Sequence, residues 1–545
     1  MASNDVFDLV VVGSGVGGLA TALSAARMGL KVLVMEKGDR LGGGTAVSHG
    51  GIWIGANHLE AEAGIQDSEE DTLRYMEFLG GDQIDMDKAR AYVHTGNEAL
   101  RFYESCGLRF QMIASVPDHY YPSAPGATKS GRTIEPVLIS ADELGEYRDA
   151  VFLPPNEIHE VTSEESIGWG GMSNLARWDQ KLIAERREKN MRGRGSALIV
   201  HFLKASLAAG VSIRRGVAVD RLLLDNGRVS GVVTREGETI QAACAVAIAT
   251  GGYESNPSLV KTYEGLPGWQ SMFPDTLTGD GMAMATEIGA AVEIIHNNMA
   301  LFLGFVVPAQ KPGDPPFYRL AGITELLFPH TMVVNKSGRR FADETYFQSI
   351  VPRLREYDPV THDFANLPCF LVFDAQFQQR FSFAGRDVGA PIPDWVRQSD
   401  TIEGLAVQLG IDPAELAQTR QRYNQFVGAG EDLDFGRGQK KWSVAKRDAW
   451  GAGNAANPTM GSLSQAPYYG IELHPSAFCS AGVRTNADGQ VIHQRGHPIP
   501  GLYAVGNASA HRDYGVGYQA GYSLASGMTF GYLAARHMAA RGQGS

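Results

Sequence analysis

The chain has 545 residues, of which 44% are hydrophobic and 20% are charged, and this composition is typical of a folded globular protein. Its length predicts two or more domains. The formal net charge of −12 argues against nucleic acid as a partner, because binding to phosphates requires a basic surface.

The cysteines and the apolar segments bear on location. The four cysteines are scattered, without the spacing of a metal site or a redox pair, as is typical of a reducing cytoplasm. The N-terminal residues lead directly into the first predicted strand, so we expect no leader segment, and no apolar run approaches the roughly 18 residues that span a bilayer. We therefore expect a cytoplasmic protein that has no metal site and does not cross a membrane.

The N-terminal segment carries a dinucleotide-binding pattern. Residues 8–12 are a short apolar run typical of a buried parallel strand, and a glycine turn, a helical segment and a second strand ending in Glu36 follow. Gly13, Gly15 and Gly18 occupy the positions of G-x-G-x-x-G. Glu36 follows at about the distance of a ribose-binding acid, ~20 residues on. This complete context predicts a bound dinucleotide, with its pyrophosphate at the start of the helix.

A second glycine cluster indicates FAD and not a nicotinamide cofactor. Residues 41–55 read LGGGTAVSHGGIWIG, and a chain that passes close to a ribityl chain and an isoalloxazine ring needs such small residues. Two further strand-to-glycine units lie at residues 244–252 and 501–510. Units so far apart in sequence predict one nucleotide-binding domain that is interrupted by an insertion.

The expected fold class is α/β: a discontinuous Rossmann-like FAD-binding domain with an inserted α+β catalytic cap domain. We place the FAD-binding domain at residues 1–286 and 459–545 and the cap at residues 287–458. The cap segment mixes proline, aromatic and charged residues, and its stretch 399–428 is predicted to be helical. A helix is also expected at 197–210, and strands at 211–234.

A proline-rich loop is expected at residues 116–136, which read VPDHYYPSAPGATKSGRTIEP. Proline removes backbone donors and fixes φ, so we expect neither a buried helix nor a central strand here. Tyr120 and Tyr121 are adjacent in this stiff segment. We interpret it as a lid that holds one phenol over the flavin.

Six segments resemble the flavoprotein family of fumarate reductases and 3-ketosteroid dehydrogenases. They lie in the family's order along nearly the whole chain and read GSGVGGLATA, LGGGTAVSHGG, AIATGGYESN, TGDGMAMATEIGA, NKSGRRFADE and GLYAVGNASA. The C-terminal stretch GVGYQAGYSLASGMTFGY and the tyrosine loop resemble the ketosteroid dehydrogenase branch, which desaturates cyclic ketones. The substrate-clamping histidines of fumarate reductases have no clear match.

The ketosteroid branch implies a mechanism. A tyrosine hydroxyl and a backbone amide hold the carbonyl oxygen and stabilise the enolate that forms when the α-carbon loses a proton. A second tyrosine, with a pKa lowered from its free value of about 10, acts as the base. A third tyrosine supports the base, and a hydride leaves the β-carbon for N5 of the flavin.

The resemblance assigns the carbonyl-binding role to the segment GYQAG. Tyr518 is the expected hydroxyl and Gly521 the expected amide, although the family's spacing between the two is one residue longer. Tyr514 and Tyr522 are alternative donors.

The resemblance also assigns the proton-abstracting role. Tyr346, which closely follows GRRFADE, is the expected base, with Tyr318 in the cap as the alternative. Either Tyr120 or Tyr121 is the supporting tyrosine.

The expected cofactor is FAD without a covalent link, because His49 does not stand where covalent relatives carry their histidyl-flavin. Its contacts are expected in the glycine turns, at the acid that ends the second strand, and at the start of the C-terminal helix. The candidate residues are Gly13, Ser14, Gly15, Gly17, Gly18, Glu36, Lys37, Gly43, Gly44, Thr45, Ser48, Gly50, Gly51, Ala218, Thr250, Gly251, Gly252, Asp280, Gly506, Asn507, Ser523 and Leu524.

The substrate and the wider function stay open at this point. A 3-ketosteroid is the leading substrate, and a smaller ring ketone, such as a cyclohexanone or an oxo-cyclohexane carboxylate, is close behind. His511 and Arg512, or Arg339 and Arg340, are candidates for binding a carboxylate, although a structural ion pair is favoured for the second pair. The alternatives are a fumarate-reductase-like reductase of an activated double bond and a flavin electron-transfer subunit. An external acceptor (quinone, dye or O2) is expected to take the electrons.

Overall fold

The structure is a computed structural model that describes residues 6–154, 157–171, 175–309, 313, 315–322, 324–439 and 457–542. Residues 440–456, near the end of the expected cap segment, lie outside the described part. None of the helices in the described ranges is both long and apolar enough to cross a membrane.

The strands are β1 (Phe7–Val12), β2 (Val32–Glu36), β3 (Ile52–Trp53), β4 (Phe110–Met112), β5 (Thr133–Pro136), β6 (Ile139–Ser140), β7 (Met191–Arg192), β8 (Ser212–Arg215), β9 (Val219–Asp225), β10 (Arg228–Thr234), β11 (Thr239–Ile248), β12 (Val292–Ile294), β13 (Leu301–Val307), β14 (Phe317–Leu320), β15 (Thr331–Asn335), β16 (Tyr357–Asp358), β17 (Asp363–Phe364), β18 (Cys369–Asp374), β19 (Arg397–Ser399), β20 (Tyr468–Ala477), β21 (Ala481–Val483), β22 (Gln490–Ile492) and β23 (Pro498–Ala504).

The helices are α1 (Val16–Arg27), α2 (Gly43–Ala46), α3 (His58–Glu62), α4 (Glu69–Gly80), α5 (Met86–Ser105), α6 (Ser163–Gly168), α7 (Gln180–Glu188), α8 (Arg194–Ala208), α9 (Pro257–Tyr263), α10 (Asp280–Glu287), α11 (Phe347–Leu354), α12 (Ala375–Arg380), α13 (Ile402–Leu409), α14 (Pro413–Ala429) and α15 (Tyr522–Gly542).

The larger sheet has the strand order β22-β23-β11-β1-β2-β8, and the β9–β10 hairpin extends it from β11. The strands β23, β11, β1, β2 and β8 are parallel neighbours. Successive side chains of β1 point to opposite faces: Leu9 and Val11 join the core formed with α1, α8 and α15, while Val10 and Val12 join the core on the other face. Both faces are therefore buried, which explains the unbroken apolar runs in these strands.

A second sheet is antiparallel and has the order β14-β13-β20-β18-β15, with β19 paired to β20. Its core is rich in phenylalanine, including Phe302, Phe305 and Phe373. β20 pairs along this sheet from Tyr468 to Ala477. The chain rejoins the first sheet at β22.

The loop expected at residues 116–136 ends in a strand, which corrects the prediction that no central strand would form there. β5 is the middle strand of a small antiparallel sheet, between β3 and β4. Three of its prolines, Pro117, Pro122 and Pro125, precede the strand, and Pro136 is its last residue. Thr133, Ile134 and Glu135 pair with the neighbouring strands because none of them is a proline, so each keeps its backbone donor.

Candidate active site

Four loops meet at one edge of the larger sheet. β23, β11, β1 and β2 are parallel neighbours in that order, so their carboxyl ends lie side by side. The turn after β1 begins at Gly13, β2 ends in Glu36, and the turns after β11 and β23 contain Thr250 and Gly506. In open α/β sheets, ligands bind outside the carboxyl ends of the strands.

The turn after β1 leaves no room for side chains. Gly13 has φ of +109°, and a Cβ there would lie 2.3 Å from the carbonyl oxygen of Ala249. A Cβ on Gly18 would lie 2.1 Å from the carbonyl oxygen of Gly13, so this glycine lets α1 pack on the strand. Gly17 faces Gly506, because a Cβ on Gly17 would lie 3.2 Å from the backbone nitrogen of Gly506. The start of α1 therefore lies open to the neighbouring backbone, as a pyrophosphate site requires.

The carboxylate of Glu36 is positioned by the same turn. Its Oε2 accepts hydrogen bonds from the backbone and the hydroxyl of Ser14, at 3.1 and 2.6 Å, and its Oε1 accepts from the amide of Gly38 at 2.9 Å. The segment that contains Ala218 lies beside Glu36, because the amide of Val217 donates a hydrogen bond to the carbonyl oxygen of Glu36 at 3.0 Å. An acceptor-only group in this place suits the hydroxyls of a ribose.

Lys37 and Asp280 bind each other. The Lys37 ammonium lies 2.7 Å from Asp280 Oδ2 and 2.5 Å from the hydroxyl of Thr278. Burial would raise the pKa of Asp280, but the hydrogen bond from Lys37 outweighs it and holds that pKa below its ordinary value. This pair fixes the start of α10 to the end of β2.

The second glycine cluster packs against the first. Thr45 accepts a hydrogen bond from the amide of Val16 at 3.0 Å, and Ser48 accepts one from Gly50 at 3.1 Å. Gly50 has φ of +77°, and a Cβ there would lie 2.5 Å from the backbone of Arg194. The other predicted glycines of this cluster are Gly43 and Gly44 at the start of α2 and Gly51, whose carbonyl oxygen would lie 3.0 Å from a Cβ on Gly521.

The remaining predicted cofactor residues line the other side of the edge. The Thr250 hydroxyl is buried and has no hydrogen-bond partner in the described part of the chain. Asn507 Oδ1 accepts from the hydroxyl of Ser523 at 2.7 Å and pairs with His511 Nε2 at 3.0 Å. Gly251 and Gly252 follow Thr250 in the turn after β11, Leu524 lies in the first turn of α15, and Gly15 belongs to the turn after β1. Among the described residues, no cluster of His, Cys, Asp and Glu is suited to hold a metal ion.

Two phenols meet between the loop and the second sheet. The hydroxyls of Tyr120 and Tyr346 share a hydrogen bond, and their rings are nearly perpendicular with centroids 6.1 Å apart. The backbone amide of Tyr518 donates to the hydroxyl of Tyr120. Three of the predicted tyrosines are thus brought together, although they come from distant segments of the chain.

Burial raises the pKa of Tyr120 and of Tyr346, and the hydroxyl of Tyr120 and the carboxylate of Asp343 raise the pKa of Tyr346 further. The expected low pKa of the base is therefore not found in this fold. The physical reason is that removing water from a phenolate costs more than the neighbouring hydrogen bonds return.

Tyr518 stands in an aromatic surrounding. Its ring centroid lies 5.2 Å from those of His119 and Phe302, 5.6 Å from Phe347 and 6.3 Å from Phe478. Burial raises its pKa, so the hydroxyl is a proton donor at neutral pH.

Gly521 has φ of +88° and fits closely against Trp53 and Gly51, where a Cβ would lie 2.9–3.0 Å from backbone atoms. Its carbonyl oxygen accepts from the amides of Trp53 and Ala525, at 3.1 and 3.2 Å. Its own amide donates no hydrogen bond within the described part of the chain, so that group is available to a ligand.

The other candidate tyrosines are engaged elsewhere. Tyr121 lines a separate surface groove with Thr128 and Ser130. Tyr318 donates its hydroxyl to the carbonyl oxygen of His474 at 3.0 Å. Tyr522 donates to Asp513.

Tyr514 is buried, and its ring centroid lies 4.2 Å from that of Tyr522, with the two ring planes tilted by 33°. Its hydroxyl has no hydrogen-bond partner in the described segments.

The profile of the FAD binding domain family matches residues 8–527. The chain belongs to the FAD binding domain family. A 4-oxocyclohexanecarboxylate 2-dehydrogenase of Sinomonas cyclohexanicum is 35% identical over 99% of this chain and 94% of that protein. A 3-oxosteroid 1-dehydrogenase of Mycobacterium tuberculosis is 32% identical over 98% of each chain.

Solved structures agree with the family. A 3-ketosteroid Δ1-dehydrogenase from Sterolibacterium denitrificans, in complex with 1,4-androstadiene-3,17-dione, matches with a TM-score of 0.87 and 28% identity, covering 99% of this chain and 100% of that one. An open flavocytochrome c3 fumarate reductase matches with a TM-score of 0.64 at 21% identity over 98% of this chain and 78% of its own, which shows the fold alone. The predicted family and the predicted α/β fold class are confirmed, and FAD is the cofactor of this family.

The residues fit an FAD at the edge described above. Glycines stand where the backbones of neighbouring loops approach each other, and an acid ends β2. The buried Thr250 hydroxyl, which has no partner in the described part of the chain, could bond to the cofactor. His49 belongs to the second glycine cluster, and its carbonyl oxygen accepts a hydrogen bond from the hydroxyl of Ser163 at 2.9 Å.

A buried ion triad holds the tyrosine loop and was missed by sequence reasoning. Arg132 lies 2.6 Å from Asp67 and 3.0 Å from Asp118, and the indole of Trp53 donates to Asp118 at 2.8 Å. Neither Arg132 nor Asp118 belongs to a recognisable motif, and Asp67 lies 65 residues before Arg132 in the sequence. Burying these charges together fixes the segment next to Tyr120.

Arg339 and Arg340, for which a structural ion pair is favoured over carboxylate binding, are both paired with acids. Arg340 is buried and pairs with Glu344 and Asp432, at 2.7 and 2.9 Å, so it is a structural ion pair. Arg339 lies at the surface beside Glu415, at 2.8 Å.

Proposed function

We propose that the chain is an FAD-dependent dehydrogenase that introduces a carbon–carbon double bond next to the carbonyl of a cyclic ketone. The observation that carries this proposal is the meeting of Tyr120, Tyr346 and Tyr518 beside the glycine-lined edge. The relatives named above support it, because they are dehydrogenases of 4-oxocyclohexanecarboxylate and of 3-oxosteroids.

The three phenols and the amide of Gly521 have different roles in the reaction. The hydroxyl of Tyr518 and the amide of Gly521 bind the carbonyl oxygen and stabilise the negative charge that develops on it. The deprotonated oxygen of Tyr346 takes a proton from the α-carbon. The electron pair of the broken carbon–hydrogen bond then forms the enolate. Tyr120, hydrogen-bonded to Tyr346 and to the backbone of Tyr518, fixes the base relative to the oxyanion donor.

FAD, when bound, supplies the acceptor for the hydride that leaves the β-carbon. The substrate thereby loses one proton and one hydride, and the product is the conjugated enone. We propose that FAD binds without a covalent link, and that an external acceptor, a quinone, a dye or O2, reoxidises it. A cytoplasmic location is also proposed, and the four free cysteines support it.

The substrate is either a 3-ketosteroid or a small ring ketone that carries a carboxylate. The aromatic walls around Tyr518 suit the flat apolar face of either ring. The 4-oxocyclohexanecarboxylate 2-dehydrogenase, which is 35% identical, favours the small ring. The similar structure with a bound steroid dione favours the larger ring system.

The test is anaerobic mixing of the purified, FAD-loaded protein with 4-oxocyclohexanecarboxylate or androstenedione, observed by the flavin absorbance. Bleaching by one ketone and the appearance of the matching enone identify the substrate class. If neither ketone bleaches the flavin but fumarate reoxidises the dithionite-reduced protein, the chain is a reductase and the proposal is wrong.

A further inference from the structure

We propose that Gln519 is a positioning residue that sets the spacing between the carbonyl-binding tyrosine and the base. This inference rests on the proposed function and goes beyond its residues. Gln519 is 1% exposed and follows Tyr518 directly. Its Oε1 accepts two hydrogen bonds, from the backbone amide of His119 at 2.9 Å and from the hydroxyl of Tyr75 at 2.8 Å. Because a backbone N–H can only donate, the oxygen of the amide must face the loop.

Tyr75 extends this contact to the next residue of the loop. Its hydroxyl, which donates to Gln519, accepts a hydrogen bond from the backbone amide of Tyr120. Gln519 therefore holds two successive backbone amides of the tyrosine loop, one directly and one through a phenol on α4.

His119 connects the same loop to the base. Its Nδ1 lies 3.0 Å from the side-chain nitrogen of Gln348, which is two residues beyond Tyr346 on α11. The ring of His119 also contacts Tyr518 edge to face, at 5.2 Å between centroids. We name Gln519, His119 and Gln348 the amide bridge.

The amide bridge joins three segments that are distant in sequence, and each segment carries one of the three phenols one or two residues from its bridge residue. All three members are buried, with exposed fractions of 1%, 3% and 5%. Buried polar groups in a connected network hold one arrangement, because breaking a link leaves donors without partners. The bridge therefore fixes how far the Tyr518 hydroxyl lies from the Tyr346–Tyr120 pair.

Gln519→Met has nearly the same shape but only a weakly accepting thioether in place of the amide oxygen, so it tests the contribution of the hydrogen bonds. We expect anaerobic flavin reduction by the ketone to slow by about 10- to 100-fold, because a displacement of about 1 Å has an effect of that size. KM should change less than kcat. Gln519→Glu keeps the acceptor and should restore most of the rate.

Isotope effects separate positioning from a general loss of structure. In Gln519→Met, the deuterium isotope effect from the ketone labelled at the α-carbon should rise, because proton abstraction becomes limiting. The effect from the label at the β-carbon should not rise. A protein that was merely loosened would slow without this asymmetry.

Gln378→Met is the matched control. Gln378 also accepts a hydrogen bond from a tyrosine, Tyr469 at 3.1 Å, but it lies on α12 in the second sheet's region and contacts none of the three phenols. It should reduce its flavin at the normal rate.

The outcomes are distinct. If the unmodified protein is not bleached by either ketone, the proposed function fails. If the unmodified protein is bleached and Gln519→Met behaves like Gln378→Met, with no change in the α-carbon isotope effect, the amide bridge is not a positioning device. Should Gln519→Met fail to fold, Gln348→Met tests the other link by the same measurement, and a normal rate and isotope effect there overturn the proposal.

Discussion

The hydroxyls of Tyr120 and Tyr346 share a hydrogen bond although the two residues come from different structural units. Tyr120 belongs to the loop held by the buried Arg132, and Tyr346 immediately precedes α11 beside the second sheet. Any shift of one unit against the other would break this contact. The pair is therefore a sensitive reporter of how the two units fit together.

Tyr120→Phe is expected to reduce the rate of flavin reduction by roughly 10-fold to 100-fold, because the phenol that orients the base is lost. Tyr121→Phe removes the same hydroxyl from the neighbouring residue, which faces a separate groove, and should be nearly normal. Single-turnover anaerobic absorbance measures both. The opposite ranking would place Tyr121 at the base.

Tyr518→Phe is expected to cost about 2.7–4 kcal/mol of transition-state stabilisation, the range for one oxyanion donor. The aromatic packing around the ring stays intact, so FAD content and thermal stability should hardly change. The measurement is kcat/KM with the ketone identified by bleaching. Normal activity would move the donor role to Tyr514, whose hydroxyl is buried without a partner in the described segments.

The rate should rise with pH. Burial raises the pKa of both Tyr346 and Tyr120, so the protonated form, which cannot accept a proton, dominates at neutral pH. The active fraction then grows about tenfold per pH unit until the apparent pKa of the pair is reached. Steady-state kcat/KM with an artificial acceptor tests this. A rate that stays constant between about pH 6 and pH 9 would show that the base is not a buried phenol.

Glu36→Gln is expected to weaken FAD binding by about 10-fold to 100-fold, because hydrogen bonds to a charged acceptor contribute roughly 1.5–3 kcal/mol. Titration of the flavin-free protein with FAD, followed by flavin fluorescence, gives the dissociation constant. Glu62→Gln makes the same charge change on the exposed end of α3 and serves as the control. Equal affinities for the two variants would argue against a ribose contact at Glu36.

The cofactor edge was predictable from sequence, and the catalytic spacing was not. Gly13, Gly18 and Glu36 are dictated by local geometry, since a glycine turn and an acid after a strand act within one βαβ unit. The choice of Tyr120 over Tyr121 depends on which side of the loop faces α11, and periodicity does not determine this in an irregular segment. The amide bridge was missed because Gln519 and Gln348 carry no motif; their role exists only once distant segments meet.

The order of strands in the larger sheet has a consequence for biosynthesis. β1 leaves the ribosome early, but the edge that binds FAD also needs β23 and the start of α15, which are made almost last. Until then, the nascent chain exposes an unpaired edge of β11, the kind of surface on which chains associate wrongly. A chain stalled before β23 should therefore hold no flavin.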